Sequence, residues 1–330
     1  MVNKITKGVT KGVILASGSG TRARPVTYYI PKPMLPIGQT PMSKIVAYQM
    51  INAGIRDILV VSRNDKEGMP TFNVLLDYFS KENAARNLSE YKKEIENGKI
   101  KIGLGFQPVD KKTGKPLGTA AGLKVAYDSG FIRDEPCAVM FSDVMQQSID
   151  GDRSLLEQML SKYDGNTLVS MKKNSIEKIT EKSAAYGSYL GGNLYKLEKI
   201  VEKPILEYVK KNPTELSVAG GIYLIDEDGG NKAGKVRKGA GGEYHITDII
   251  DMQARSGDAY GYLIDKSRFK SYDVGDFDVL IGENLEDKYR KDFFSYVKNS
   301  KSAVKTIFIG GVAMYGSNAD LMELLSFLSK

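Results

Sequence analysis

Short apolar runs alternate with helical periodicities along most of this chain of 330 residues. The first run, residues 13–16 (Val-Ile-Leu-Ala), is brief and continuous, as a buried strand is, and a glycine-rich stretch ends it. The pattern then predicts a helix over 42–53, a strand over 58–62 and a long, mostly helical excursion over 72–96. A strand over 100–106, a helix over 119–127, a strand over 138–141, a helix over 155–163 and a strand over 167–171 follow. Strand and helix in alternation predict an α/β fold, three layers around a mostly parallel mixed sheet. After Lys173 the strands shorten, to 186–190, 194–201 and 218–225, which predicts a β-rich half closing over a substrate. A Gly- and Lys-rich loop is expected over 226–242, a helix over 245–255 and a strand over 259–264. Gly191, Gly192 and Asn193 read as a hairpin turn. The expected organisation is a catalytic domain over 1–284, with halves meeting near 173, and an appendage over 285–330. That appendage reads as a helix over 285–297, a strand over 306–312 and an amphipathic helix over 318–328, with Leu321, Leu324, Leu325 and Leu328 on one face.

Composition narrows the function classes. Hydrophobic residues make up 42% of the chain, enough for one large α/β domain with appendages. The single cysteine, Cys137, excludes an internal disulfide framework and suits the cytosol, and its apolar surroundings read as a buried, inert thiol. No apolar stretch approaches the roughly 18 residues of a membrane span. The basic segment 1–11 lacks the apolar core of a secretory signal, so a cytoplasmic protein away from membranes is expected. The formal charge of +7 is dispersed among acids, which reads as a solvated surface around an anion-binding cleft rather than a nucleic-acid footprint. One histidine, His245, leaves no multi-histidine metal site.

The most informative segment is 12–37. A strand feeds the turn Gly18-Ser19-Gly20-Thr21, and two cations, Arg22 and Lys32, follow among prolines. Backbone N–H groups in such a loop point at an anion, and fixed cations neutralise it. A Walker A loop would end Gly-Lys-Ser/Thr, whereas this one ends Gly20-Thr21-Arg22. The dinucleotide fingerprint G-x-G-x-x-G/A matches at Gly18, Gly20 and Ala23, but it needs a helix next and an acid about 20 residues on. Pro25, Pro31, Pro33, Pro36 and Pro41 forbid a regular helix, and 40–43 contains no acid.

The run Leu15-Ala16-Ser17-Gly18-Ser19-Gly20-Thr21-Arg22-Ala23-Arg24-Pro25-Val26-Thr27, with Pro31-Lys32-Pro33-Met34, resembles the signature of the sugar-1-phosphate nucleotidyltransferases, L-A-G-G-x-G-T-R-L-x-P-x-T and P-K-P-M/L. Ser17 and Ala23 depart from it without removing a charge. Glu202-Lys203-Pro204 after Val201 resembles the family's V-E-K-P, Tyr186-Gly187 its Y-G, and Tyr272-Asp273-Val274-Gly275 its D-x-G. The resemblance spans 10–282 and implies a Rossmann-like nucleotidyltransferase fold. It also implies a cytoplasmic homo-oligomer, dimer or tetramer, acting on small molecules, with Mg²⁺ as cofactor.

Such chemistry joins two polyanions at the α-phosphorus of a nucleoside triphosphate. The attacking sugar-phosphate oxygen is already anionic, so cations and Mg²⁺ suffice without an obligatory Ser, Cys or His. The resemblance makes Arg22 the clamp on the triphosphate, Lys32 the ligand of the α-phosphate and Lys203 that of the sugar phosphate. It assigns nucleotide contacts to Ala16, Ser17, Gly18, Gly20, Thr21, Gln107, Gly118 and Thr119, and sugar contacts to Asp143, Tyr186, Gly187, Glu202 and Gly221. Asp143 and Asp273 become the metal carboxylates. Asp143 follows a buried strand, where α/β sheets present ligands, although an aspartate there also serves as a helix cap. A Gln amide offers an acceptor beside a donor, matching the N3–H and O4 edge of uracil or thymine; a flipped amide would also accommodate cytosine. The excursion over 72–96, Asp143-Val144 and the stretch 239–248 resemble the uridylyltransferase branch, which joins UTP to glucose 1-phosphate. Pro116-Leu117-Gly118-Thr119-Ala120 resembles the mannose-1-phosphate guanylyltransferases. A thymidylyl- or guanylyltransferase, an enzyme using a non-sugar phosphate and a non-catalytic sensor of sugar nucleotides stand as alternatives.

Overall fold

Residues 8–274, apart from 24–26, 28–29, 38–39, 64–68, 115 and 152, are described by a computed structural model. The tail expected over 285–330 lies outside the described residues.

The alternation in the sequence becomes a sheet with helices on both faces. Strand β1 (Lys11–Leu15) is flanked in parallel by β4 (Asp57–Arg63) and β6 (Cys137–Phe141), and β5 (Lys101–Gln107) extends the parallel set beyond β4. Beyond β6 come β11 (Leu216–Ile225), β8 (Thr167–Lys173), β12 (Ala259–Leu263), β10 (Leu194–Glu202) and β9 (Ser183–Gly191), giving nine strands in the order β5-β4-β1-β6-β11-β8-β12-β10-β9. Only β11 and β10 run against the other seven. Successive side chains on a strand face opposite ways, so each central strand feeds two cores. On β1, Ile14 joins the core under helices α1 (Met42–Asn52), α2 (Met69–Phe79), α3 (Lys81–Asn87), α4 (Lys92–Glu96) and α6 (Leu155–Lys162). Val13 and Leu15 join the opposite core, under α5 (Thr119–Asp128) and α10 (Ile246–Ser256). The excursion expected over 72–96 is therefore three helices, interrupted at Ser80 and again between Leu88 and Tyr91.

Residues 226–242, expected as a loop, contain the short helix α9 (Gly229–Ala233). Its glycines permit close packing: a Cβ at Gly230 would lie 2.7 Å from the Tyr127 ring on α5. The short helices α7 (Ile176–Glu181) and α8 (Leu206–Lys211) pack Ile179 and Val209 on Ala184 of β9. Strands β2 (Pro36–Ile37) and β3 (Thr40–Pro41) form a small ribbon of their own. A second ribbon pairs β7 (Val144–Ser148) with β13 (Phe269–Asp273). The β9–β10 hairpin has a register shift between Leu197 and Lys199. One end of it pairs β12, while the other follows α10, where the Ile200 N–H donates to the Asp251 carboxylate at 2.7 Å. No described helix is long and apolar enough to cross a membrane.

Candidate active site

The carboxyl ends of β1, β4, β5 and β6 share one edge of the sheet, and the motif residues gather there. The Ala16 N–H donates to the Val61 carbonyl at 2.8 Å and the Ser142 N–H to that of Leu15 at 3.0 Å, fixing the glycine loop between its neighbours. Ser17 Oγ donates to the same Val61 carbonyl at 3.2 Å. Arg63, at the end of β4, donates to Ser19 Oγ at 3.0 Å. Thr27 Oγ1 donates to the Gly20 carbonyl at 2.8 Å, and Thr21, Arg22 and Ala23 form a 3₁₀ turn behind it. Gly18 and Thr21 are exposed on this loop; the Arg22 side chain lies outside the described atoms.

Lys32 opens a second 3₁₀ turn, after Pro31, and forms an ion pair with Asp143. Both side chains are largely buried, 11% and 18% exposed, so solvent screens the pair poorly. Asp143 lies between β6 and β7, and its carbonyl accepts from the Val274 N–H at 3.0 Å. Asp273 lies opposite Val144 in the ribbon, which brings the two aspartates of the sequence to one ribbon end although 130 positions separate them along the chain (273 − 143). Asp273 also pairs with Lys182 at 3.7 Å. Carboxylate oxygens are the donor type that Mg²⁺ takes. Among the described residues no group of three or more His, Cys, Asp or Glu side chains could hold a metal.

On the nucleotide side, Gln107 ends β5, is 1% exposed, and donates through Nε2 to the Gly118 carbonyl at 2.8 Å. Between them Val109 bridges Pro116, and the Asp110 carboxylate accepts from the N–H groups of Lys112 and Thr113. Asp110 also pairs with Lys238, and these partners hold its carboxyl well below the usual range. Gly118 has φ +97°, and a Cβ there would lie 2.5 Å from the Tyr244 carbonyl oxygen, so glycine is required on both counts. Tyr244 N–H donates to the Leu117 carbonyl at 2.7 Å, and Thr119 Oγ1 accepts from the Ile246 N–H at 2.9 Å. The stretch 239–248 is thus seated directly on the Gly118-Thr119 turn.

On the sugar side, Glu202 ends β10 with its carboxylate 2.8 Å from Thr247 Oγ1 and 3.6 Å from His245 Nδ1. Burial raises the Glu202 pKa, against the hydrogen bond from Thr247 and the neighbouring His245. Lys203 has φ +43°, uncommon for a side-chain-bearing residue and a mark of a constrained position. Its ammonium-bearing side chain is exposed, and its N–H donates to the Lys182 carbonyl at 2.9 Å. Tyr186 spends its hydroxyl on the Asn212 carbonyl at 2.9 Å. Gly221 (φ +74°) sits in the register break of β11, where a Cβ would press at 3.0 Å on Val144. Sequence reasoning passed over Lys172 and Lys182. Burial, followed by the charge of Lys182, pushes the Lys172 ammonium down to about 8.

This arrangement fits the pattern of one protein group across its length. The family model for nucleotidyl transferases matches residues 11–289. The chain belongs to the nucleotidyl transferase family. Among similar proteins, the UTP–glucose-1-phosphate uridylyltransferase YngB of Bacillus subtilis (strain 168) is 29% identical over 275 residues, covering 82% of this chain and 86% of the relative. A UTP–glucose-1-phosphate uridylyltransferase of Pseudomonas aeruginosa (strain PAO1) is 26% identical over 270 residues, covering 81% and 91%. A solved UDP-glucose pyrophosphorylase in complex with UDP-glucose superimposes with a TM-score of 0.68 at 25% identity, over 87% of this chain and 99% of that one. In this nucleotidyl transferase Lys32 pairs with Asp143, Asp273 reaches the same ribbon end and pairs with Lys182, and the Lys203 backbone is bonded to Lys182.

Proposed function

We propose that this nucleotidyltransferase joins UTP to glucose 1-phosphate, giving UDP-glucose and pyrophosphate, with Mg²⁺ held by Asp143 and Asp273. The observation that carries the reading is the Lys32–Asp143 ion pair beside the glycine loop, with Asp273 at the same ribbon end and Lys203 joined to it through Lys182. The names of the similar proteins, all of which concern UTP and glucose 1-phosphate or UDP-glucose, support the choice of substrates.

In this reading the glycine loop and Arg22 hold the triphosphate, and Lys32 turns to the α-phosphate. Lys203 brings the sugar phosphate into line with the α-phosphorus. The attacking oxygen needs no base, so the residues act by alignment and by stabilising charge on the departing pyrophosphate. The metal, when bound, supplies further charge stabilisation on the phosphates. Gln107 selects the base: its Nε2–H is engaged by Gly118, which leaves Oε1 as an acceptor for a ring N3–H. Uracil and thymine carry that proton, and cytosine does not. Glu202, fixed by Thr247, accepts from sugar hydroxyls.

The experiment is pyrophosphate release with Mg²⁺, crossing UTP, dTTP, CTP, GTP and ATP with glucose, galactose, N-acetylglucosamine and mannose 1-phosphates. Highest kcat/KM with UTP and glucose 1-phosphate is expected, with CTP poor. Preference for GTP and mannose 1-phosphate would overturn the role given to Gln107. Absence of turnover with every pair would favour a non-catalytic sensor.

A further inference from the structure

We propose that Lys182, backed by Lys172, is a second cationic ligand for the phosphate of the incoming sugar 1-phosphate, and that Asp273 holds Lys182 in place until that phosphate arrives. The inference rests on the nucleotidyl-transfer reading of the site. Lys182 immediately precedes β9 and Lys203 immediately follows β10, so the open end of the hairpin places them side by side, tied by the 2.9 Å bond from the Lys203 N–H to the Lys182 carbonyl. The Lys182 ammonium reaches Asp273 at 3.7 Å, on the ribbon that also ends at Asp143. Lys172 comes to the same region from the end of β8: it lies opposite Ser217 on β11, and the adjacent Val218 N–H donates at 3.0 Å to Oγ of Ser183, the residue after Lys182. Lys266 is anchored from the β12 side by a 2.8 Å bond to the Lys173 carbonyl.

Like charges repel, and burial makes the repulsion costlier. Lys172 and Lys182 gather around Asp273, whose charge a divalent cation would neutralise. A metal held by Asp273 would draw that carboxylate from Lys182, whose ammonium would then need another anionic partner beside Lys203. A phosphate dianion at Lys203 then offers Lys182 the charge-assisted bonds it has given up.

Lys182→Met and Lys172→Met remove the charge and keep an unbranched side chain. In Lys182→Met the KM for glucose 1-phosphate is expected to rise about tenfold or more, as loss of one charge-assisted contact does, with the KM for UTP unchanged. Lys172→Met should shift the same KM in the same direction, and Lys182→Arg should restore it. An unchanged KM for the sugar phosphate in Lys182→Met, or an equal rise for both substrates, overturns the proposal, while wild-type turnover independently upholds the reading beneath it. If the wild type forms no sugar nucleotide, that reading fails alone. Inorganic phosphate titrated calorimetrically is then the probe. Weaker binding to Lys182→Met than to the wild type supports the cation pair, and equal affinity rejects it.

Discussion

Asp143 is tied to its surroundings twice, through its carbonyl to Val274 and through its carboxylate to Lys32. Replacing the carboxylate with an amide keeps the shape and removes the charge. Asp143→Asn is therefore expected to retain native circular dichroism, to lose about 1–3 kcal/mol of stability because the largely buried Lys32 ammonium loses its ion-pair partner, and to lose Mg²⁺-dependent pyrophosphate release. Full activity in that variant would remove Asp143 from the metal site. At this scale the sequence marked Lys32, Gln107, Asp143, Glu202 and Lys203 as candidates by residue type, and the fold joins two of them, Lys32 and Asp143, in an ion pair. The sequence was silent at Lys182, since a lysine ahead of a strand looks like any surface lysine until Asp273 is folded beside it. Thr247 and Tyr244 lie within 239–248, yet their bonds to Glu202 and to the Gly118 turn exist only in the folded chain.

Among the elements, the helices and apolar strands were legible because burial writes a period into the sequence. β7 was not, and its residues Val144-Met145-Gln146-Gln147-Ser148 explain why. Its partner recognition is polar: Gln146 accepts from the Ser271 hydroxyl, and Gln147 from the Tyr272 hydroxyl at 3.0 Å. The β9–β10 hairpin was legible as two strands but not in its irregular pairing, which hinges on Gly187. A Cβ there would sit 2.1 Å from the Lys196 carbonyl oxygen and 3.0 Å from the Leu197 backbone, with no flexible side chain to yield. Gly187→Ala is thus expected to open the hairpin at that point and to cost at least about 2 kcal/mol, in the range of enforced overpacking. Hydrogen exchange should show lost protection confined to β9, β10 and the contacts of α10 with β10. Because Lys203 and Glu202 end this hairpin, the KM for glucose 1-phosphate should rise while that for UTP holds. Unchanged exchange in β9 and β10 would show that the strands accommodate the methyl group by moving apart.

For the molecule as a whole, the sheet divides labour between its two edges. The carboxyl ends of the parallel strands hold the candidate cations and carboxylates, whereas the start of β6, at the opposite end, buries a thiol. Cys137 is 1% exposed there, and burial, together with the nearby Asp226, pushes its thiol up to about 12 from an ordinary 9.0. Tyr78 is pushed up to about 12 from 10.0 by burial, and burial likewise raises Tyr163 and Tyr223. Each of these groups holds its proton more firmly folded than unfolded. Their contribution to stability is complete below the unfolded pKa values and is lost as pH rises through the folded ones. Lys172, depressed to about 8, acts in the opposite sense: its unfolded form binds the extra proton between about 8 and 10.5, so stability gains there as pH rises. Three tyrosines and one thiol outweigh one lysine, so the denaturation midpoint should fall steadily above about pH 9, by a few kcal/mol of unfolding free energy before pH 12. Cys137→Ala removes the thiol's share, and its midpoint is expected to fall less steeply between pH 9 and 12 than that of the wild type. In the folded wild type the thiol should stay inert to a disulfide reagent at pH 8 and react only as the chain unfolds, since the thiolate is both inaccessible and disfavoured. Parallel slopes for the two proteins, or rapid labelling under native conditions, would mean that water reaches the start of β6 and that this edge of the sheet is open.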